Sequence, residues 1–255
     1  MIEIENYQMK RFLFQMAGIR VGMLAILCLL LASCSQPEIQ PLIFNTAPWQ
    51  PNEVSTYQVT DVNGNHAGTA RYDLTRLEGD LWNLRREISA QGTQEIITVD
   101  MAQQDFRPTK STLVRIAGSD TEQVHAAYNG SEVNLELTTK QNITTFERVS
   151  IPSDAREQAS LVMLLRALPL AERYAVRLNV FLPIVGILDR VTVSVVDQEQ
   201  VTTPAGTYEC WLVRMETANS RTEAWVATQA PYPVVKFIDS RNDGTFELSE
   251  FQPGQ

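Results

Sequence analysis

No apolar run in this 255-residue sequence is long enough to cross a bilayer as a helix. A spanning helix needs about 20 such residues, and the run Val21–Ala32 has twelve. Cysteine is scarce: Cys28, Cys34 and Cys210 are all there are. Histidine is scarcer still, with His66 and His125 alone. The sequence also lacks the G-x-S-x-G elbow, the H-E-x-x-H helix, the Walker loop and the G-x-G-x-x-G turn. These absences remove the usual signatures of serine hydrolases, zinc proteases, nucleotide phosphates and dinucleotides. A net charge of −9 also argues against nucleic acid, whose phosphates demand basic patches.

What is present begins with a leader. Arg20 precedes the twelve-residue run, whose length suits the apolar region of a signal peptide, about 7–15 residues. Glu3 and Glu5 are out of place in a leader, whereas Met9-Lys10-Arg11 reads as a natural start, so Met1 and Met9 both stand as initiation sites. Leu31-Ala32-Ser33-Cys34 resembles the lipobox of bacterial lipoproteins. Only a thiol takes the diacylglycerol thioether, and small residues before it suit a narrow peptidase cleft. On this reading residues 1–33 are a lipoprotein signal peptide and Cys34 carries palmitate-type chains. Two or three chains hold firmly where one gives marginal anchoring. The competing reading is an ordinary cut near Ala32 that leaves Cys34 a free thiol.

Cleavage before Cys34 removes a leader of net +1 and takes the charge from −9 to −10. Cys210 is then without a cysteine partner, which excludes an internal disulfide. It lies in "TYECWLV", which alternates like a strand, and reads as a small core residue. Ser35 is not the aspartate that retains lipoproteins at an inner membrane, so the expected location is the extracytoplasmic cell envelope. In a cell with two membranes that means the outer one.

Residues 34–51 contain Pro37, Pro41, Pro48 and Pro51 and read as an extended tether, with "PLIF" able to tuck against the body. Trp49 is either an interfacial membrane anchor or a residue packed on that body. From residue 52 to 252 the pattern is one β-rich domain. Short alternating segments are punctuated by Asn63-Gly64-Asn65, Glu78-Gly79-Asp80, Gln91-Gly92, Gly118-Ser119-Asp120, Asn129-Gly130-Ser131 and Asp243-Gly244. About thirteen strands and one helix are predicted. So many strands curl rather than lie flat.

The predicted helix covers about residues 153–168, with Leu161, Leu164, Leu165 and Leu168 on one face. Asp154 and Glu157 have capping-box spacing, and Pro169 disfavours a helical Leu168. A lone helix in a β-rich chain buries its leucines against the sheet as a plug or lid. Two further rows, Val176, Leu178, Val180 and Val191, Val193, Val195, share inward faces with those leucines as candidate cavity linings. The chamber they frame either packs solid against the helix or holds an apolar guest.

"VVDQEQVTTPAGTYECWLVRMET" and "TEAWVATQAPYPVVKFIDSRNDGTFELSEF" carry a resemblance to the exported bacterial family called domain of unknown function 3108. The matching features are Pro204-Ala205-Gly206-Thr207, Tyr208, Trp211, Trp225 and Pro231-Tyr232-Pro233, with "SLVMLLRALPL" before them. The likeness covers about residues 53–251. It implies an all-β fold with one helix: a curled antiparallel sheet or incomplete β-barrel, similar to the half-barrels of lipoprotein carriers. It implies no reaction.

The residues single out no acid–base pair. His66 beside a turn and His125 in a strand read as structural, and "DSRNDG" reads as a hairpin turn rather than a calcium loop. No enzyme activity, metal or cofactor is expected. The membrane is reached through the acyl chains. Two roles for the body remain: binding a lipid or other apolar envelope molecule, or recruiting another envelope protein in assembly.

Overall fold

The computed structural model describes residues 37–239 and 244–255. The leader of residues 1–33, Cys34 and Asp243 of the last predicted turn lie outside the described residues. Strands form where apolar and polar side chains alternate, because successive residues of a strand point to opposite faces. The described residues hold fifteen strands. The first eight are β1 (Glu53–Thr60), β2 (His66–Leu77), β3 (Leu81–Ala90), β4 (Thr93–Ala102), β5 (Pro108–Ala117), β6 (Asp120–Asn129), β7 (Glu132–Thr138) and β8 (Thr144–Ser150). The others are β9 (Arg156–Glu157), β10 (Ala175–Leu182), β11 (Ile187–Thr203), β12 (Gly206–Glu216), β13 (Arg221–Ala227), β14 (Val234–Asp239) and β15 (Gly244–Gln252). Turn chemistry separates them as the sequence predicts. Asp61 Oδ1 accepts the Asn63 and Asn65 N–H groups at 2.9 Å, and Gln91-Gly92 adopts two positive φ angles, 51° and 77°.

All fifteen strands belong to one sheet, ordered β8-β7-β6-β5-β4-β3-β2-β1-β15-β14-β13-β12-β11-β10-β9. The chain starts in the middle, meanders out to β8, then reappears at the opposite edge and meanders back until β15 pairs with β1. Every pairing is antiparallel except that of β9 with β10. Fifteen strands laid flat would span roughly 67 Å at about 4.8 Å each. The two edges, however, are joined by residues 151–155, a link that reaches about 20 Å at full stretch. The sheet must roll up.

It rolls without closing. β8 and β9 do not pair. Phe181 points away from the side of β10 that carries Val176 and Val180. It packs instead with Ala126 of β6, Val133 and Leu135 of β7, and Ile151 and Ala155 of the link. Tyr128 meets its ring edge-on at 6.2 Å. One margin of the sheet therefore laps over the other, and side-chain packing replaces the missing ladder of hydrogen bonds.

The interior holds the predicted helix, shorter than predicted. Residues 153–157 are not helical, because Arg156 and Glu157 are drawn into extended pairing with Val180 and Phe181. What remains is a 3₁₀ turn (Gln158–Ser160), α1 (Leu161–Leu164) and a second 3₁₀ turn (Leu165–Ala167). The capping box does not form. Asp154 Oδ1 accepts from Asn179 Nδ2, and Glu157 is itself the cap, accepting the Ala159 N–H at 2.9 Å. Leu168 is extended, at φ −76° and ψ 147°, as Pro169 requires.

Leu161, Leu164, Leu165 and Leu168 are all buried, and so are Met163, Arg166 and Ala167 from the remaining faces. A segment buried all round is enclosed by the sheet. Val176, Leu178, Val193 and Val195 pack solidly in the same core.

Residues 38–51 of the segment read as a tether belong to the compact body. Gln40 N–H donates to the Ala175 carbonyl, and Asn45 N–H to the Ala167 carbonyl. Leu42 and Phe44 pack on the core, as "PLIF" allowed. Trp49 is not a membrane anchor. It is 2% exposed, wedged against Trp82, Phe106 and the Arg166 guanidinium. Arg166 in turn makes a buried two-pronged ion pair with Glu53 and donates to the Pro231 carbonyl at 2.8 Å. These residues close one end of the roll.

Candidate functional site

The other end is open. Inward rows that are apolar through the body take up charged residues there. In β3 the row is Trp82, Leu84, Arg86, Ile88. In β4 it is Met101, Val99, Ile97, Glu95, and in β5 it is Leu113, Arg115. Across the mouth, the row Val195, Val193, Val191 ends in Asp189, and Phe237 is followed on its face by Asp239. Between them lies a cavity of about 240 Å³. Its floor and walls are Leu161, Val162, Leu113, Met215, Phe237 and Phe246. Its rim is charged.

The Glu95 carboxylate bridges two guanidiniums, Arg86 at 2.6 Å and Arg115 at 2.7 Å. Burial pushes this carboxyl toward its neutral form, but the charge of Arg86 and the bonds from Arg115 outweigh it and hold it below the ordinary range. Tyr72, beside Arg86, is pushed up to about 12 by burial. A smaller chamber of about 40 Å³ shares Ile97, Leu113, Gln158, Leu182 and Ile184 with the cavity and reaches Ser111 and Glu157. Burial raises Glu157 to about 7, against the nearby charge of Arg86 and the backbone N–H of Ala159. A chamber that size admits about one water.

Of the ten apolar residues singled out from the sequence, Leu161, Val180 and Val191 line the cavity. Leu164, Leu165, Leu168, Val176, Leu178, Val193 and Val195 do not. They form the solid core beneath it, because the plug fills most of the chamber. Sequence reading missed Arg86, Glu95 and Arg115. The available signal was a charged residue continuing an otherwise apolar alternating row.

Cys210 is wholly buried with Trp225, Ala227 and Val235, and burial pushes its thiol up to about 12, which leaves it protonated and unreactive. His125 sits in β6 with Nδ1 3.4 Å from Thr112 Oγ1. Among the described residues no group of three or more His, Cys, Asp or Glu side chains is placed to hold a metal.

Fold and site together define a rolled, incompletely closed β-barrel with an internal plug and one open, cavity-bearing end. The chain belongs to the family described as protein of unknown function DUF3108, which matches residues 56–249. Its fold is similar to that of a β-barrel-like protein of domain of unknown function DUF1849 from Brucella abortus. The match covers 80% of this chain and 98% of that one, at 10% identity and a TM-score of 0.56. Two weaker similarities have TM-scores of 0.28. One is to a protein described as exported, with a YmcC-like fold, from Bacteroides fragilis (11% identity, 82% of this chain, 100% of that one). The other is to a protein described as a lipoprotein from Parabacteroides distasonis (11% identity, 84% and 100%). No curated protein matches the chain.

Proposed function

We propose that this chain is a lipid-anchored, extracytoplasmic binding protein, fastened to the envelope through Cys34, whose end cavity receives the apolar part of a small amphipathic molecule. The observation that carries this reading is the cavity itself, apolar at its base and charged at its rim, at one end of an otherwise close-packed roll. An open cavity of about 240 Å³, with Leu, Val, Met and Phe at its base and charged groups at its mouth, has the shape and chemistry that take an amphipathic guest. Its size limits the guest. Sites for drug-sized ligands run about 300–1,000 Å³, so a whole diacyl lipid does not fit and a single short chain does. The rim of Arg86, Glu95, Arg115 and Asp189 would meet the polar head.

Titration calorimetry with medium-chain fatty acids and alkylamines on the unacylated body tests this. Saturable binding is expected in the natural protein and should be lost in Leu161→Trp, whose indole fills the cavity. Absence of saturable binding to any of these probes, or equal binding by Leu161→Trp, would rule the reading out.

A further inference from the structure

On the β3–β5 wall of the cavity, two cations share one anion. Cross-strand pairing sets the inward side chains of this wall in two rows. In the deeper row Tyr72 pairs with Arg86, Arg86 with Ile97, and Ile97 with Leu113. One pleat nearer the mouth, Ile88 pairs with Glu95 and Glu95 with Arg115. Arg86 therefore stands at the level of apolar side chains, and its own is 13% exposed. The Arg115 side chain, in the outer row, is 37% exposed.

The Glu95 oxygens are already divided between the two guanidiniums. Oε1 accepts from Arg86 Nη2 at 2.6 Å, while Oε2 accepts from Arg115 Nη2 at 2.7 Å and Nε at 3.2 Å. Arg115 has a second carboxylate, Glu122, at 3.7 Å. Among the described residues Arg86 forms no second ion pair. A guanidinium carries five N–H donors. The bond to Glu95 uses one of them, and the Arg86 Nε–H is buried without an acceptor. Glu157 acts on Arg86 through its charge, but its Oε2 accepts the Ala159 N–H, and burial drives that carboxyl toward its neutral form. Asp189 and Asp239 line the cavity from β11 and β14 and have interactions of their own.

A buried cation that shares its counter-charge is costly to keep out of water. An anionic oxygen entering from the cavity supplies the missing charge through charge-assisted bonds, the stronger kind. An ammonium would meet donors instead of acceptors on this wall, beside two like charges.

We infer that the guest of the cavity carries an oxyanion head, a carboxylate or a phosphate, received by Arg86 and Arg115. This rests on the binding reading above and adds the sign of the head and its place. The head lies against the β3–β5 wall, and the chain lies against Leu161, Met215, Phe237 and Phe246. Glu95 is a positioning residue that holds both guanidiniums toward one spot.

Titration calorimetry at neutral pH tests this on the chain from residue 34, with Cys34→Ser so that no acyl group is attached. The probes are octanoate, octyl phosphate, octanol and octylamine. At least one of the two anions should bind about tenfold or more tighter than octanol, the scale of one charge-assisted bond, and octylamine should bind more weakly than octanol. Whichever anion binds tighter identifies the head as carboxylate or phosphate. Arg86→Gln should reduce anion binding to the octanol level while octanol binding stays unchanged, which also shows a folded variant. If Arg86→Gln loses octanol too, the more exposed Arg115→Gln decides, with a several-fold loss expected for the anions alone. Octanol or octylamine binding as tightly as the anions, or an anion preference that survives both substitutions, overturns the oxyanion head and leaves the cavity reading standing. No saturable binding of any probe overturns the cavity reading and this inference together.

Discussion

Glu157 is the residue whose chemistry depends most on its surroundings. It lies at the end of the short strand β9, caps the plug and borders the smaller chamber. Burial raises its carboxyl from an ordinary 4.5 to about 7. A carboxyl raised on folding favours the native state below its unfolded pKa, and that contribution is lost as pH climbs through the folded value. Glu157→Gln cannot ionise. Between about pH 5 and about pH 8 the variant should therefore gain stability relative to the natural protein, on the order of 3 kcal/mol. Urea unfolding of both proteins across that range gives the measurement, and parallel pH profiles would contradict it. Nothing in "PSDAREQAS" announces this behaviour. Asp154 and Glu157 have the spacing of a capping box, yet only the partner strand β10 decides that Glu157 is extended and enclosed.

At the scale of elements, hairpins were legible and the helix was legible in part. Turn residues such as Asn63-Gly64 and Gln91-Gly92 punctuate strands locally, so they show in any reading of the chain. One strand contact is stricter still: a Cβ on Gly68 would stand 2.0 Å from the Ser89 carbonyl oxygen, which explains a glycine inside β2. The plug was visible as leucines at helical spacing. Its first predicted turn was lost to strand pairing, a tertiary effect that overrides propensity. Leu164 is the plug's most enclosed leucine along with Leu165, both 0% exposed. Leu164→Ala should cost about 2–5 kcal/mol, from lost burial and the cavity left behind. Thermal or urea unfolding should register that loss. An effect near zero would mean that the plug is not part of the cooperative core.

For the whole molecule, the closed end is stitched by residues distant in sequence. Trp49 packs edge-on to Trp82 and tilted against Phe106, with the Arg166 guanidinium over its ring, while Arg166 holds Glu53 and the Pro231 carbonyl. Trp49→Ala should destabilise the body by about 3–5 kcal/mol, as other buried aromatic truncations do. If Trp49 instead served the membrane, the substitution would leave the unfolding midpoint of the unacylated body unchanged and weaken only vesicle binding. The sequence left the docking of this segment open, because prolines forbid a helix without saying whether an extended segment is free or docked. Docking needs a surface, and that surface is assembled from β3, β4, β10 and the plug.

Alternation, turn residues and the leucine spacing are local properties, so the sequence alone determined that the chain is β-rich, carries one plug segment and curls. The rows that face inward could be read for the same reason. Which part of those rows is packed solid and which is left open depends on how far the plug reaches along the axis of the roll, and no local pattern encodes that distance. Only the rolled sheet set Arg86, Glu95 and Arg115 against Asp189 across one mouth, and only it put that mouth at the opposite end from Gln40. Both are relations between strands far apart in the chain, established when a link of five residues forced the two margins of a fifteen-stranded sheet to meet.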